Sequence, residues 1–256
     1  MFSPRIIPVL LYKNGGLVKS VRFKDYTYIG DPINAVRIFN DFFADEIIIL
    51  DIEASKKGSF IDLQIVKEVG EEANMPFSVG GGVDSLEKIN LLLKNGAEKA
   101  IINSAALHNM AFVKEAADYF GSSTITVCVD IRKNLFGKYQ VYSHSKQKAF
   151  NTSYIDYIKQ IEGCGAGEII IQSVDNDGMM NGYDLKLYET LAKEINVPIV
   201  ALGGAGDIHD MEKLWNQSSV NSFSAGSMFV YFNKMKGVLI NYPKIDRDEF
   251  RKKFRK

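Results

Sequence analysis

The chain has little cysteine, little histidine, no excess of either charge and no long apolar run. Cys128 and Cys164 are the two cysteines of its 256 residues. They are too few for a disulfide framework, lack metal-ligand spacing, and are expected in a reducing cytoplasm. His108, His144 and His209 form no ligand pair. Lys and Arg number 31, as do Asp and Glu, so the formal net charge is zero. Bulk charge therefore gives no reason to bind nucleic acid or a membrane surface. No apolar stretch reaches the roughly 20 residues of a membrane helix. The N-terminal run from Ile6 to Tyr12 ends at Lys13 without a small-residue cleavage site, so a buried strand is expected there rather than a signal peptide. A hydrophobic content of 46% with 24% charged residues fits a folded globular chain and not a disordered one. The length suits one or two domains, or a single closed barrel.

What is present is an alternation. Short, continuously apolar, β-branched runs predict strands at Ile6–Leu11, Ile47–Asp51, Phe77–Val79, Ala100–Ile102, Ile125–Asp130, Ile169–Ile171, Ile199–Leu202 and Ser222–Ala225. Such runs suit parallel strands buried on both faces. Helical spacing fills the gaps. Asp31-Pro32 caps a helix carrying Ile33, Val36 and Phe39, and Asp84-Ser85 opens one with Leu86, Ile89 and Leu93 inward, ending at Gly96. Eight such units predict one (β/α)8 TIM barrel. An internal repeat supports two half-barrels, about 1–122 and 123–245, followed by a charged tail. Glu46 and Glu168 begin similar apolar runs 122 residues apart, and Pro76 and Pro198 precede similar glycine-ended runs at the same offset.

Each half also carries a glycine loop between strand and helix: Gly80-Gly81-Gly82 and Gly203-Gly204-Ala205-Gly206. Glycine lets backbone N–H groups approach an anion, and the next helix adds a favourable dipole. Tight strand-to-helix turns need glycine too, so one loop alone is weak. Two at matching positions, with Asn103-Ser104 and Gly226-Ser227 after the next strands, predict a ligand with a phosphate at each end.

These motifs, with Arg5-Ile6-Ile7, Gly30-Asp31-Pro32, Leu50-Asp51-Ile52, Gly165-Ala166-Gly167-Glu168, Asp175, Asp177-Gly178 and Gly182-Tyr183-Asp184, resemble the cyclase subunit of imidazole glycerol phosphate synthase. The resemblance runs from about residue 4 to about residue 240. It implies a barrel that takes ammonia from a separate glutaminase subunit, as a heterodimer, and condenses it with a bisphosphorylated, nucleotide-derived substrate. The implied products are imidazole glycerol phosphate and an aminoimidazole carboxamide ribotide, with no cofactor or metal. Arg5, Glu46, Lys99 and Glu168 match a ring of four charges through which that family admits ammonia. Glu98 stands beside Lys99 and is expected to face the partner. Gly81, Gly82, Asn103, Ser104, Gly203, Gly204, Gly226 and Ser227 match the phosphate grips, and Lys19, in the long loop from Lys13 to Asp31, matches a substrate-contacting lysine. Taken singly, each ring charge reads first as a solvated strand start; it is as a set that two positives and two negatives suggest a neutral ring.

One position departs. The family closes its ring with two aspartates, at the ends of the first and fifth strands. Asp130 matches the second, but Leu11 stands in place of the first, and leucine transfers no proton. Tyr12 should point away from it. Asp51 and Asp175 lie at neighbouring strand ends, and Glu53 and Asp177 are the better substitutes because they sit past those ends. Two functions follow. The resemblance to family members in surface-polysaccharide pathways implies a paralogue that supplies ammonia to a sugar amidotransferase, for amidation of a nucleotide-linked sugar. The alternative is a working cyclase of histidine biosynthesis with Asp130 as acid and Glu53 or Asp177 as base. A related phosphoribosyl isomerase would leave the charged ring without a use. The segment Lys133–Tyr142 predicts a hairpin, and Lys244–Lys256 a solvated terminal helix.

Overall fold

The computed structural model describes residues 4–218, 220–232 and 237–243. The expected terminal helix from Lys244 lies outside them. The first strand, β1 (Arg5–Lys13), turns at Asn14-Gly15 into an antiparallel pair, β2 (Gly16–Val21) and β3 (Lys24–Gly30). Helix α1 (Pro32–Asp41) follows, then β4 (Ile47–Asp51), α2 (Ala54–Lys57), α3 (Leu63–Glu72), β5 (Phe77–Gly80), α4 (Leu86–Lys94), β6 (Lys99–Ile102), α5 (Ser104–His108) and α6 (Met110–Phe120). The second stretch begins as the first did, with a long strand β7 (Ile125–Lys133) turning into antiparallel β8 (Tyr139–Ser143) and then β9 (Lys148–Ala149). It continues through α7 (Tyr154–Gly163), β10 (Glu168–Ser173), α8 (Leu185–Glu194), β11 (Ile199–Leu202), α9 (Ile208–Ser218) and β12 (Ser222–Ala225).

Eight of these strands pair in parallel in the order β1-β4-β5-β6-β7-β10-β11-β12, and β12 returns to β1 through Arg5↔Ser222. The sheet is closed, so the fold is the expected (β/α)8 barrel, and no barrel strand has a bare edge. Helices start where the sequence places their caps. Asp31 accepts from the Asn34 amide at 2.9 Å ahead of Pro32, and Ser85 accepts from the Lys88 amide at 3.3 Å. In α4 the fully buried residues are Ile89 and Leu92, while Leu86 and Leu93 pack at the margin.

Strand alternation sorts the apolar residues into two cores. Outward-facing residues such as Ile6, Ile47, Val127 and Ile169 meet the helices in the larger one. Inward-facing Ile7, Val9, Ile48, Ile101, Cys128, Ile170, Val200 and Leu202 form a separate core along the barrel axis, topped by Leu11 and Leu50. Among the described residues no helix is long and apolar enough to cross a membrane.

Candidate functional site

At the N-terminal end of the barrel four charges meet. Arg5 reaches Glu46 at 2.9 Å and also Glu168, and Lys99 reaches Glu46 at 3.2 Å and Glu168 at 3.0 Å. The cycle alternates in sign and closes on itself. Ser222 accepts from the Arg5 guanidinium at 2.8 Å, and Ser78 donates to Glu46 at 2.8 Å. Burial disfavours the charge on Arg5, but Glu168 and then Glu46 outweigh it and its pKa is raised. Carboxylates as buried as Glu46 and Glu168 persist only when paired and hydrogen-bonded, and here each has two cationic partners, which remain partly exposed. Glu98 is exposed immediately before β6, beside this ring.

At the C-terminal end the strands open into a concave mouth. Leu11, Lys19, Asp130 and Asp177 all line it, as do Gly81, Gly82, Asn103, Ser104 and Gly226. Asp130 is buried at the inward end of β7, and burial pushes its carboxyl up to about 7, against the hydrogen bond that Asn103 donates at 3.2 Å and with help from the charge on Asp177. Asp177 is also raised by burial. It accepts from the Ser20 hydroxyl at 2.8 Å and the Phe23 amide at 3.3 Å. Those bonds latch the β2–β3 pair across the mouth, with Arg22 donating to the backbone of Asp177 at 3.0 Å and of Asp175 at 3.0 Å. The Lys13–Asp31 segment is therefore an ordered hairpin rather than the loop expected. Asn14 and Gly15 both have positive φ, 48° and 85°, the geometry a tight two-residue hairpin turn needs.

Lys19 points from this hairpin into the barrel. It donates to the Val9 carbonyl at 2.6 Å, and burial lowers its pKa to about 8 despite the charge of Asp177. Its tail fills the space over Gly226, where any Cβ would collide with it. Leu11 pairs with Leu50 and Val18 and brings no proton-transferring group to its side of the mouth. Tyr12 faces the outer core, as alternation requires.

Some expected residues are not brought to the mouth. Glu53 lies outside its wall, bound by Lys57 at 2.6 Å and Lys13 at 3.1 Å, which hold its pKa below the usual range. This corrects its expected place as a substitute base, because two lysines hold its side chain at the rim. Asp51 lines the mouth but caps α2, accepting from the amides of Glu53 and Ala54 at 2.9 and 3.0 Å. Asp175 accepts from the Lys133 amide at 2.7 Å and so anchors the β7–β8 hairpin.

The two glycine loops also differ. Gly81 and Gly82 have φ of 136° and 69°, and a side chain at Gly82 would strike the Ser59 carbonyl. Gly203 and Gly204, with φ of 102° and 105°, and Ser227 are outside the mouth wall. In that second loop the amides of Gly206 and Asp207 already donate to the Asp210 carboxylate, at 2.9 and 3.4 Å.

Sequence reading missed His144, Tyr26 and Gln172, which also line the mouth. His144 packs edge-on to Phe23 at 5.0 Å, and burial followed by the charge of Lys56 lowers its pKa. Its position depends on the β8–β9 turn, which no motif marks. Gln172 did carry a signal: it follows the apolar run of β10, two residues after inward-facing Ile170.

The histidine biosynthesis protein family matches residues 5–236. A Leptospira interrogans protein, provisionally named as the HisF subunit of imidazole glycerol phosphate synthase, is 43% identical over 244 residues, which is 95% of this chain and 96% of that one. A provisionally named hisF2 subunit from Pseudomonas aeruginosa is 40% identical over 247 residues, 96% and 98% of the two chains. The imidazole glycerol phosphate synthase subunit HisF of Alkaliphilus metalliredigens is 36% identical over 231 residues, 90% and 92%. With a closed eightfold barrel and matches over nearly its whole length, the chain belongs to the histidine biosynthesis protein family, among the imidazole glycerol phosphate synthase cyclase subunits.

Proposed function

We propose that this barrel carries ammonia rather than closing an imidazole ring. A glutaminase subunit docks at the N-terminal end, around Glu98, and releases ammonia at the Arg5–Glu46–Lys99–Glu168 ring. The ammonia crosses the apolar interior and leaves by the mouth for a sugar amidotransferase, which amidates a nucleotide-linked sugar in surface-polysaccharide synthesis. The observation that carries this reading is Leu11. Ring closure by the acid–base pair needs a second carboxylate facing Asp130, and an alkyl group stands there. Losing one member of such a pair removes about 10²–10⁴-fold in rate. The apolar axis lined by Ile7, Ile48, Ile101, Ile170 and Val200 suits a small neutral molecule, whereas an ion would lose its hydration there without a partner. The phosphate-binding role is assigned to Gly81, Gly82, Asn103 and Ser104, with Lys19 and Gly226 opposite. The second phosphate would fall to Gly203, Gly204 and Ser227, which stand outside the mouth wall.

The second reading, a working cyclase of histidine biosynthesis, rests on Asp177. It shares the mouth with Asp130, and burial raises both pKa values. There Asp130 would be the acid and Asp177 the base. Reconstitution separates the two. The purified chain, with the glutaminase and sugar amidotransferase of the same genome, should be required for glutamine-dependent amidation of the nucleotide-linked sugar. A glutaminase that neither copurifies with the chain nor responds to it would defeat the ammonia-carrying reading.

A further inference from the structure

Between the charged ring and the mouth, one polar group on the barrel axis has no partner. Thr126, Cys128 and Asp130 share the inward face of β7, alternating with Val127 and Val129 of the outer core. Thr126 pairs in register with Glu168 of the ring on one side and with Ile101 on the other. It therefore stands level with Glu168 and one inward position past Lys99, at the inner edge of the ring. The residue is 1% exposed, and among the described residues its Oγ1 is the buried side-chain atom left without a hydrogen bond. Packing alone does not call for that hydroxyl. Valine has nearly the same shape and would bury no unpaired polar atom.

We infer that the Thr126 hydroxyl is a binding point for ammonia inside the barrel, at the inner edge of the charged ring. This rests on the ammonia-carrying function proposed above. A hydroxyl donates one hydrogen bond and accepts others. Ammonia has one lone pair and three N–H groups, so the two match in either sense, while the aliphatic wall offers neither. A single neutral hydrogen bond is weak enough to release its guest. Two residues along a strand span about 6.6 Å, so a molecule bonded to Thr126 lies near the Cys128 thiol, and Asp130 follows at the same spacing. The ring's two cations are balanced by Glu46 and Glu168, so it is the loss of hydration on the apolar axis that disfavours ammonium and makes the ligand the uncharged molecule.

The test uses the full-length chain with 13C-methyl threonine. There are five threonines, and Thr126→Ser identifies the relevant methyl signal by its loss. Ammonium chloride is added at alkaline pH, where free ammonia is abundant, and the same salt at neutral pH and potassium chloride serve as controls. The Thr126 methyl signal should shift saturably in the first case only. In the complex with glutaminase and amidotransferase, Thr126→Val should lower the amide product formed per glutamine hydrolysed by about fivefold, the scale of one neutral hydrogen bond, and Thr126→Ser should restore it. Thr126→Val should melt no lower than the parent, which separates this loss from misfolding. No saturable shift overturns the inference, as does a Thr126→Val complex that couples as well as the parent. If the parent complex shows no coupled transfer, the ammonia-carrying reading fails on its own. The methyl titration then decides the binding point, supported by a saturable shift and overturned without one.

Discussion

Replacing Asp130 by asparagine should change how stability depends on pH. The Asp130 carboxyl is raised from an ordinary 3.8 to about 7, chiefly by burial. The unfolded chain gives up this proton near pH 4 and the folded chain only near neutrality. Between those values the folded state holds the extra proton, so stability falls as pH rises through the window and levels off above it. Each pH unit is worth about 1.4 kcal/mol, so the span of about three units amounts to about 4 kcal/mol at most. Repulsion from Asp177 is a minor part of this span, and the asparagine removes it together with the burial cost. Asparagine keeps an oxygen to accept from Asn103. Urea denaturation at intervals from pH 4 to pH 8 should therefore find Asp130→Asn and the parent alike at the acid end, and the variant more stable by a few kcal/mol at the alkaline end. Parallel curves would refute the burial of a raised carboxyl in the mouth.

Three further substitutions probe other parts of the account. Leu11→Asp should raise ammonia-dependent turnover of the bisphosphorylated cyclase substrate by about 10²-fold or more; a folded variant with unchanged turnover counts against the missing-carboxylate argument. Glu168→Ala leaves Arg5 and Lys99 both dependent on Glu46 and should cost about 3 kcal/mol, as breaking a buried ion pair does, measured by urea unfolding and partly recovered by adding Lys99→Met. Gly82→Ala forces a side chain against the Ser59 carbonyl at φ 69° and should lose about 2 kcal/mol or more, read as a lowered melting temperature.

The barrel was legible because buried parallel strands leave a plain trace: β4, β11 and β12 begin and end where their apolar runs do. The ring was legible only through family resemblance, since nothing in four isolated strand-start charges predicts that they converge. The hairpin was written in the sequence, as Asn14-Gly15 followed by the alternating Tyr26, Tyr28 and Gly30, but the long span suggested a loop. Glu53 was misplaced for a different reason. Its backbone lies past a strand end as expected, yet Lys57, four residues on along α2, and Lys13 from β1 take its carboxylate. The glycine repeat predicted two like phosphate grips, and both loops do hold paired glycines at positive φ. They differ in that Gly81 and Gly82 line the mouth while Gly203 and Gly204 do not, and in that the Asp210 carboxylate reaches back from α9 to the amides of Gly206 and Asp207. Side-chain competition of that kind is invisible to a repeat offset.

The central claim is that this barrel passes ammonia on instead of consuming it. The direct measurement is turnover of the bisphosphorylated cyclase substrate by the purified chain in excess ammonia, beside the Alkaliphilus metalliredigens relative under the same conditions. The account predicts a rate at least about 10²-fold lower for this chain, the loss expected when one of two proton-transfer groups is an alkyl side chain. Equal rates would contradict it and make Asp177, with Asp130, the working pair of a cyclase.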